Sequence, residues 1–281
     1  MREIIARQVA DTVARLFSQA NFCLAEGVLE RLKRAGEEEK SDAGREVLRQ
    51  LVANAAIAQE DQVPLCQDCG TAVVFLEVGQ EVHVVGGDLR DAVNEGVKRA
   101  YSGSYLRKSM VTRPFSARVN TQDNTPAIIY TEIIPGDRLR IIAAPKGGGA
   151  ENMSRLAMLT PADGRAGIVD FVLKAVDQAG SNPCPPIVVG VGIGGTAEKT
   201  LLLAKKALLR KIGQPNPDPE VAELEAELLI KINALGIGPM GYGGTTTALA
   251  VHVEVFPAHI ASLPVGVNFN CHSSRHEEAI L

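Results

Sequence analysis

Apolar residues Ile4, Ile5, Val9, Val13, Leu16 and Phe17 recur at helical spacing, so residues 4–34 predict one or two amphipathic helices. A charged turn, Gly36 to Lys40, leads into a further helix over about 43–58. The pattern then changes. Residues 71–78 and 81–85 are short and β-branched, as strands are. Residues 88–101 read as a helix with Asp88 near its start. The stretch 113–125 is too rich in Asn, Thr and Arg to be core. Strand candidates at 127–134 and 138–144 flank Pro135-Gly136-Asp137, a good turn, and the pair predicts a hairpin. Beyond it come a glycine loop at Lys146–Gly149, a helix at 163–178 and a short strand at 187–191. A second glycine run, Gly192-Ile193-Gly194-Gly195, leads into a helix at 197–210. A Pro/Asn/Asp linker at 214–219, a charged helix at 220–235 and strands at 246–256 and 265–269 complete the pass.

Helices and hairpin strands alternate irregularly, which predicts an α+β fold: mixed helices and short, mainly antiparallel strands in one large domain, residues 1–281. Its N-terminal region, to about residue 60, is helical. The linker at 214–219 is a candidate boundary, but neither side of it shows a core of its own.

Composition narrows the function classes. The chain has 281 residues, 46% of them hydrophobic, with a formal net charge of −4 and no Trp. A core of aliphatic residues follows, with no basic face for nucleic acid. No stretch of 18 apolar residues exists to span a membrane. The start mixes charges into its apolar pattern, unlike a secretory signal, so a cytoplasmic location is expected. Five cysteines, an odd number, argue against a disulfide framework.

Gly190, Gly192 and Gly195 fit G-x-G-x-x-G after a strand and before a helix, as in dinucleotide sites. The unit should continue into a second parallel strand ending in an acid. Here the helix runs into Gln214-Pro215-Asn216-Pro217-Asp218-Pro219, which cannot be a central strand. The glycines read better as a tight strand-to-helix turn, and a nicotinamide-dependent dehydrogenase is the weaker alternative.

Cys66, Cys184 and Cys271 each sit beside Pro, Gly, Asn or Asp, which are loop signals. Three loop thiols suit a 4Fe–4S cluster whose fourth iron stays open as a Lewis acid, although separate buried thiols fit the spacing as well. Cys66 and Cys69 also form C-x-x-C, but no second such pair completes a structural zinc site.

Longer strings decide between these readings. Cys66-Gln67-Asp68-Cys69-Gly70 resembles the C-Q-D-T-G motif of the class I fumarases, and Arg118 to Ala127 resembles that family's R-x-N-T-x-D-N-T-P-A segment. PKGGGAENMS, GIGGTAEKTLLLAKKAL and AHIASLPVGVNFNCHSSRH are similarly close. The match runs in one order from about residue 60 to the C-terminus. The chain thus resembles the alpha subunit, equivalent to the N-terminal domain, of the iron–sulfur fumarate hydratase and L-tartrate dehydratase family.

That resemblance implies reversible hydration of fumarate to malate, with L-tartrate dehydration as the alternative. It places Cys66, Cys184 and Cys271 at the cluster-ligand positions. Gln67 and Asp68 fall on substrate contacts, with Asp68 polarising the leaving hydroxyl or an iron-bound water. Arg107 matches a carboxylate grip, for which a planar guanidinium is suited. By composition alone, Arg107 would be a solvated charge and Asp68 a turn cap. Gly148 would bring an unhindered N–H to a substrate carboxylate, where the plain reading is an ordinary turn. His259 matches an active-site histidine, and His272 is placed to support a ligand. Cys69 departs from the family's Thr and is read as a tolerated replacement. Single-chain members carry a further domain with more arginines, a lysine and the catalytic base. A separate beta subunit, alpha–alpha contacts in a heteromer and a cluster sensitive to oxygen are therefore expected. The rival from another class is a non-catalytic metal-binding regulatory module.

Overall fold

The computed structural model describes every residue from Met1 to Leu281. In chain order the elements are β1 Arg2–Ile5, α1 Ala6–Phe22, α2 Val28–Glu38, α3 Asp42–Asp61, β2 Thr71–Gly79, β3 Val82–Val85 and α4 Leu89–Gly103. They continue with β4 Ile128–Ile134, β5 Leu139–Lys146, α5 Gly148–Glu151, β6 Arg155–Leu159, α6 Gly164–Ala179 and β7 Ile187–Gly194. The last are α7 Ala197–Ala207, α8 Pro219–Asn233, β8 Ala248–Phe256, β9 Leu263–Asn270 and β10 Glu277–Ile280. The class is α+β, as the patterning predicts.

The chain forms two compact units. The first is Met1–Ala25, Asn54–Gly148 and Arg275–Leu281; the second is Glu26–Ala53 and Gly149–Ser274. The 214–219 linker lies within the second unit and bounds nothing. Asn216 ties it down, donating from Nδ2 to the Val253 carbonyl at 2.9 Å.

In the first unit a sheet of order β10-β5-β2-β4 is covered by α1, which also packs on α4. Val9, Val13, Leu16 and Phe17 of α1 are fully buried, which confirms the helical face read from their spacing. Asp88 caps α4, accepting from the N–H groups of Arg90 and Asp91. Two expectations fail here. Ile4 and Ile5 belong to a strand, β1, paired parallel to β3 rather than to the helix. The β4–β5 hairpin does not form either. β2 lies between the two, parallel to β4 and antiparallel to β5. Burial explains the order. Ala72 to Leu76 are buried without interruption, as a central strand requires, whereas β4 leaves Ile133 exposed at the edge.

In the second unit the sheet runs β6-β9-β7-β8, with β7 parallel to β8 and antiparallel to β9. Val189 and Val191 of β7 face a core shared with α6 and α8. Gly190 and Gly192 face the other way, against α7. A Cβ on Gly192 would stand 2.0 Å from the Thr200 carbonyl oxygen, and one on Gly190 2.1 Å from that of Ala204. These glycines therefore serve close strand–helix packing, which supports the tight-turn reading of G-x-G-x-x-G. Gly192→Ala is expected to destabilise the chain by roughly 2–3 kcal/mol in urea unfolding, since a helix backbone cannot yield as a side chain can. An unchanged midpoint would show that α7 does not approach this closely.

The turn at 36–40 is not uniformly solvated. Glu39 is 2% exposed, and its carboxylate accepts N–H bonds from Ser41, Thr245 and Thr246. Burial works to raise its pKa, but the donors outweigh burial and hold it below the ordinary range.

Candidate functional site

The loop Leu65–Gly70 joins α3 to β2 and is anchored at its start. Leu65 donates its N–H to the Asn21 carbonyl at 2.8 Å, and its own carbonyl accepts from Asn54 Nδ2 at 2.9 Å. At its end, Gly70 has φ +76°, and a Cβ there would meet the Lys146 backbone at 2.7 Å. Only glycine lets the loop close onto the end of β5. Thr71 pairs with Lys146, so the loop shares one end of the sheet with the glycine run that follows β5.

Asp68 links the two. Its Oδ1 accepts from Gly70 N–H at 3.0 Å and its Oδ2 from Gly148 N–H at 2.7 Å. The Gly148 amide, expected to face a substrate carboxylate, is thus taken by Asp68. Cys66 Sγ lies 3.4 Å from the Asp68 amide, which donates to it, and 3.3 Å from Gln67 Oε1. Gln67 is exposed, while Cys66 and Asp68 are partly so.

Cys69 is 1% exposed and faces away from solvent. Its sulfur accepts the Arg107 N–H at 3.2 Å and donates toward the Cys66 carbonyl at 3.7 Å. Burial pushes the thiol's pKa up, against the lowering by the Arg107 amide and the Arg275 charge. Cys69 is therefore a neutral hydrogen-bonding group that hangs the Arg107 segment from the loop. A hydroxyl at this position could do the same. Cys69→Thr is expected to leave KM for the substrate within about twofold. Cys69→Ala, which orphans the Arg107 amide, is expected to raise KM by roughly tenfold. Equal KM values for the two variants would remove this role.

Asn124 does the matching work from the polar stretch that the patterning excludes from the core. It is fully buried in the left-handed region, at φ +64°. Its Oδ1 accepts from Ser109 and Met110 N–H at 2.7 and 3.1 Å, and its Nδ2 donates to the Gly70 carbonyl at 3.1 Å. Sequence reading missed it because Asn-rich composition signals loops. Arg275 was missed as well. It is 4% exposed and its Nη2 donates to the Asp68 carbonyl.

The remaining candidates belong to the second unit. Cys184 precedes β7 and Cys271 follows β9; Val188 pairs with Asn270, so both thiols lie at one end of that sheet. His272 joins their loops, its N–H donating to the Cys184 carbonyl at 3.2 Å with its Nδ1 also 3.2 Å from that oxygen. Cys184 has φ +55°, rare for a residue with a side chain. None of the five cysteines is in a disulfide.

His259 lies before β9, at the opposite end from Cys271, and a strand of that length (Leu263–Asn270) spans roughly 25 Å. The structure does not bring it to the second-unit thiols. It lines a separate cleft of about 480 Å³ with Gly195, Thr196, Lys199 and Phe256. Its Nδ1 accepts from Ala261 N–H at 3.1 Å, which leaves the proton of the neutral ring on Nε2.

No group of three or more His, Cys, Asp and Glu side chains gathers to hold a metal ion. The fit to an iron–sulfur cluster rests on donor chemistry. Cys66, Cys184 and Cys271 are partly exposed loop thiols; Cys69 is buried, and burial raises its pKa and that of the half-buried Cys23. An amide donating to Cys66 Sγ and a buried cation behind the same loop both suit a thiolate ligand there. No helix is long and apolar enough to cross a membrane.

The family model described as fumarate hydratase (Fumerase) matches residues 10–280. A putative L(+)-tartrate dehydratase subunit alpha of Methanocaldococcus jannaschii is 47% identical over 273 residues, covering 95% of each chain. The L(+)-tartrate dehydratase subunit alpha of Escherichia coli (strain K12) is 31% identical over 272 residues, 95% of this chain and 89% of the relative.

Proposed function

The chain belongs to the fumarate hydratase (Fumerase) family, and we propose that it is the alpha subunit of an iron–sulfur hydro-lyase acting on a four-carbon dicarboxylate. The observation that carries this reading is the fixed Asp68 carboxylate beside Cys66, with Arg107 hung from the same loop through Cys69. Fumarate and malate are the leading substrate pair. L-tartrate is the second reading, favoured by the names of both relatives.

Cys66, Cys184 and Cys271 are the thiols that would hold a 4Fe–4S cluster. Bound by three thiolates, such a cluster supplies one open iron as a Lewis acid toward hydroxyl and carboxylate oxygens. The chain's own residues do the rest. Each Asp68 oxygen uses one lone-pair direction on a backbone N–H and keeps another for the substrate hydroxyl. The exposed Arg107 guanidinium grips a substrate carboxylate with paired N–H donors, and the Gln67 amide contacts the same substrate. Elimination removes the hydroxyl from one carbon and a proton from its neighbour; hydration reverses both. The group that takes that carbon-bound proton is assigned to a separate beta subunit, a reading supported by the relatives' naming as alpha subunits. His259 is assigned an active-site role on the family resemblance, although within its own unit it stands at the opposite end of β9 from Cys271.

The test is anaerobic reconstitution with iron and sulfide, followed by EPR after mild oxidation. A three-iron signal lost in Cys66→Ser, Cys184→Ser and Cys271→Ser but kept in Cys69→Ser is the expected result. A cluster that needs Cys69, or none at all, would overturn the ligand assignment. Steady-state assays of the two-subunit enzyme on fumarate, malate and L-tartrate then separate the substrates.

A further inference from the structure

Buried cations in a folded chain are paired, because an uncompensated charge out of water costs several kcal/mol. Even the half-buried Arg210 pairs, with the buried Glu225. Arg275 does not. It is 4% exposed, and of its guanidinium nitrogens only Nη2 has a protein partner, the Asp68 carbonyl. Nε and Nη1 are both buried with nothing to donate to. The charge stands close enough to act on the Cys69 thiol and the Tyr101 hydroxyl, which also feel the Asp68 carboxylate, but that carboxylate makes no ion pair with the guanidinium and spends its oxygens on the Gly70 and Gly148 N–H groups.

The position of the cation indicates which anion it awaits. Tyr101, itself fully buried, donates to the Cys69 carbonyl at 2.6 Å, so the loop backbone is held from the inside. Arg275 holds the next carbonyl toward the N-terminus, again from the protein side. Gln67 is exposed instead, and Asp68 is partly so. A substrate carboxylate arriving from solvent meets Gln67 and Arg107; a guanidinium this thoroughly covered is out of its reach. An anion formed on the loop itself, within the protein, is not. A ligating Cys66 loses its proton, and a cluster held by three thiolates is anionic overall.

We propose that Arg275 is a positioning residue for that centre: its guanidinium is the counter-charge to the cluster bound at Cys66, and its bond to the Asp68 carbonyl fixes the loop that presents the ligand. The proposal rests on the iron–sulfur reading above. It explains why a cation is left unpaired in the chain alone, and why the segment carrying it follows Cys271 by four residues.

The experiment uses the full chain, with and without anaerobic reconstitution by ferrous iron and sulfide, as wild type, Arg275→Gln and Arg275→Lys. Without the cluster, Arg275→Gln is expected to melt no lower than wild type, because it removes an unpaired charge. With the cluster, it is expected to release iron to a chelator on the order of tenfold faster, the effect of losing one charge-assisted contact. Arg275→Lys, which keeps the charge, is expected to release iron within a few-fold of wild type. Equal release from wild type and Arg275→Gln would overturn the proposal. So would Arg275→Gln failing to fold or melting lower without the cluster, which would make Arg275 a support of the fold only. A wild-type chain that takes up no cluster would remove the iron–sulfur reading and this proposal together, a failure distinct from either of the others.

Discussion

Asp68→Asn is expected to lower turnover of the reconstituted two-subunit enzyme by roughly 10²–10⁴-fold while the chain still folds and takes up iron. The reason lies in the bonds of its carboxylate. Both oxygens accept a backbone N–H, from Gly70 at 3.0 Å and Gly148 at 2.7 Å. An amide has one acceptor and one donor, so whichever way the substituted side chain turned, its NH2 group would face an N–H. The loop would lose one of its two ties, and the substrate hydroxyl would lose one of two acceptor oxygens together with the negative charge that polarises it. A turn cap alone predicts a different result: about 1–2 kcal/mol of stability lost and activity nearly intact. Measured kcat beside the urea midpoint separates the two. An Asp68→Asn variant that kept more than a tenth of the wild-type kcat would reduce Asp68 to a structural carboxylate.

The same residue shows what sequence could and could not reveal. Asp68, Cys66 and Gly148 stand in short strings dense in Cys, Asp and Gly, and such strings are legible because little else uses them together. Their bonding is not. Nothing in the spacing of residues 68 and 148 says that one would occupy the other's N–H, since the contact is set by β2 pairing with β5. The hairpin error has the same origin. A good turn at Pro135-Gly136-Asp137 is a local signal, whereas the insertion of β2 between β4 and β5 depends on a strand some fifty residues earlier that is buried on both faces.

Polar residues in the interior were the least legible of all. Asn124, Glu39 and Arg275 belong to types that are usually exposed, and each sits in a stretch that reads as loop or turn. Asn124 and Glu39 are buried because backbone groups with no strand or helix partner need them. Arg275 is the exception, buried with bonds to spare, and composition carries no trace of that. By contrast, the alternation of Val and Gly along β7 was visible in the sequence, and only its purpose was ambiguous. The position of α7 resolves it, since glycine sits where the helix backbone comes closest.

His252 supplies the second large effect, on stability against pH. It lies on β8 beside Gly190, is 2% exposed, and its Nδ1 stands 3.1 Å from the Ala207 carbonyl, so the ring donates there. Burial lowers its pKa to about 4, helped by the Arg210 charge and opposed by Glu225 and the Ala207 bond. In the unfolded chain the imidazole titrates near 6.5. Between those values the unfolded chain holds a proton that the folded chain refuses, so unfolding becomes easier as pH falls. The stabilisation is complete above about pH 6.5 and is lost on the way down to about pH 4, amounting to about 3 kcal/mol in all. His276, half-buried and also lowered by burial, acts in the same direction. Urea unfolding of the cluster-free chain at pH 7 and pH 4.5 measures the loss. Comparison with His252→Gln isolates it, since the carboxylates that also titrate there are common to both proteins. The wild type is expected to lose more stability than the variant over that interval. Parallel pH profiles would mean that the imidazole accepts its proton inside the sheet and that α7 gives way locally around it.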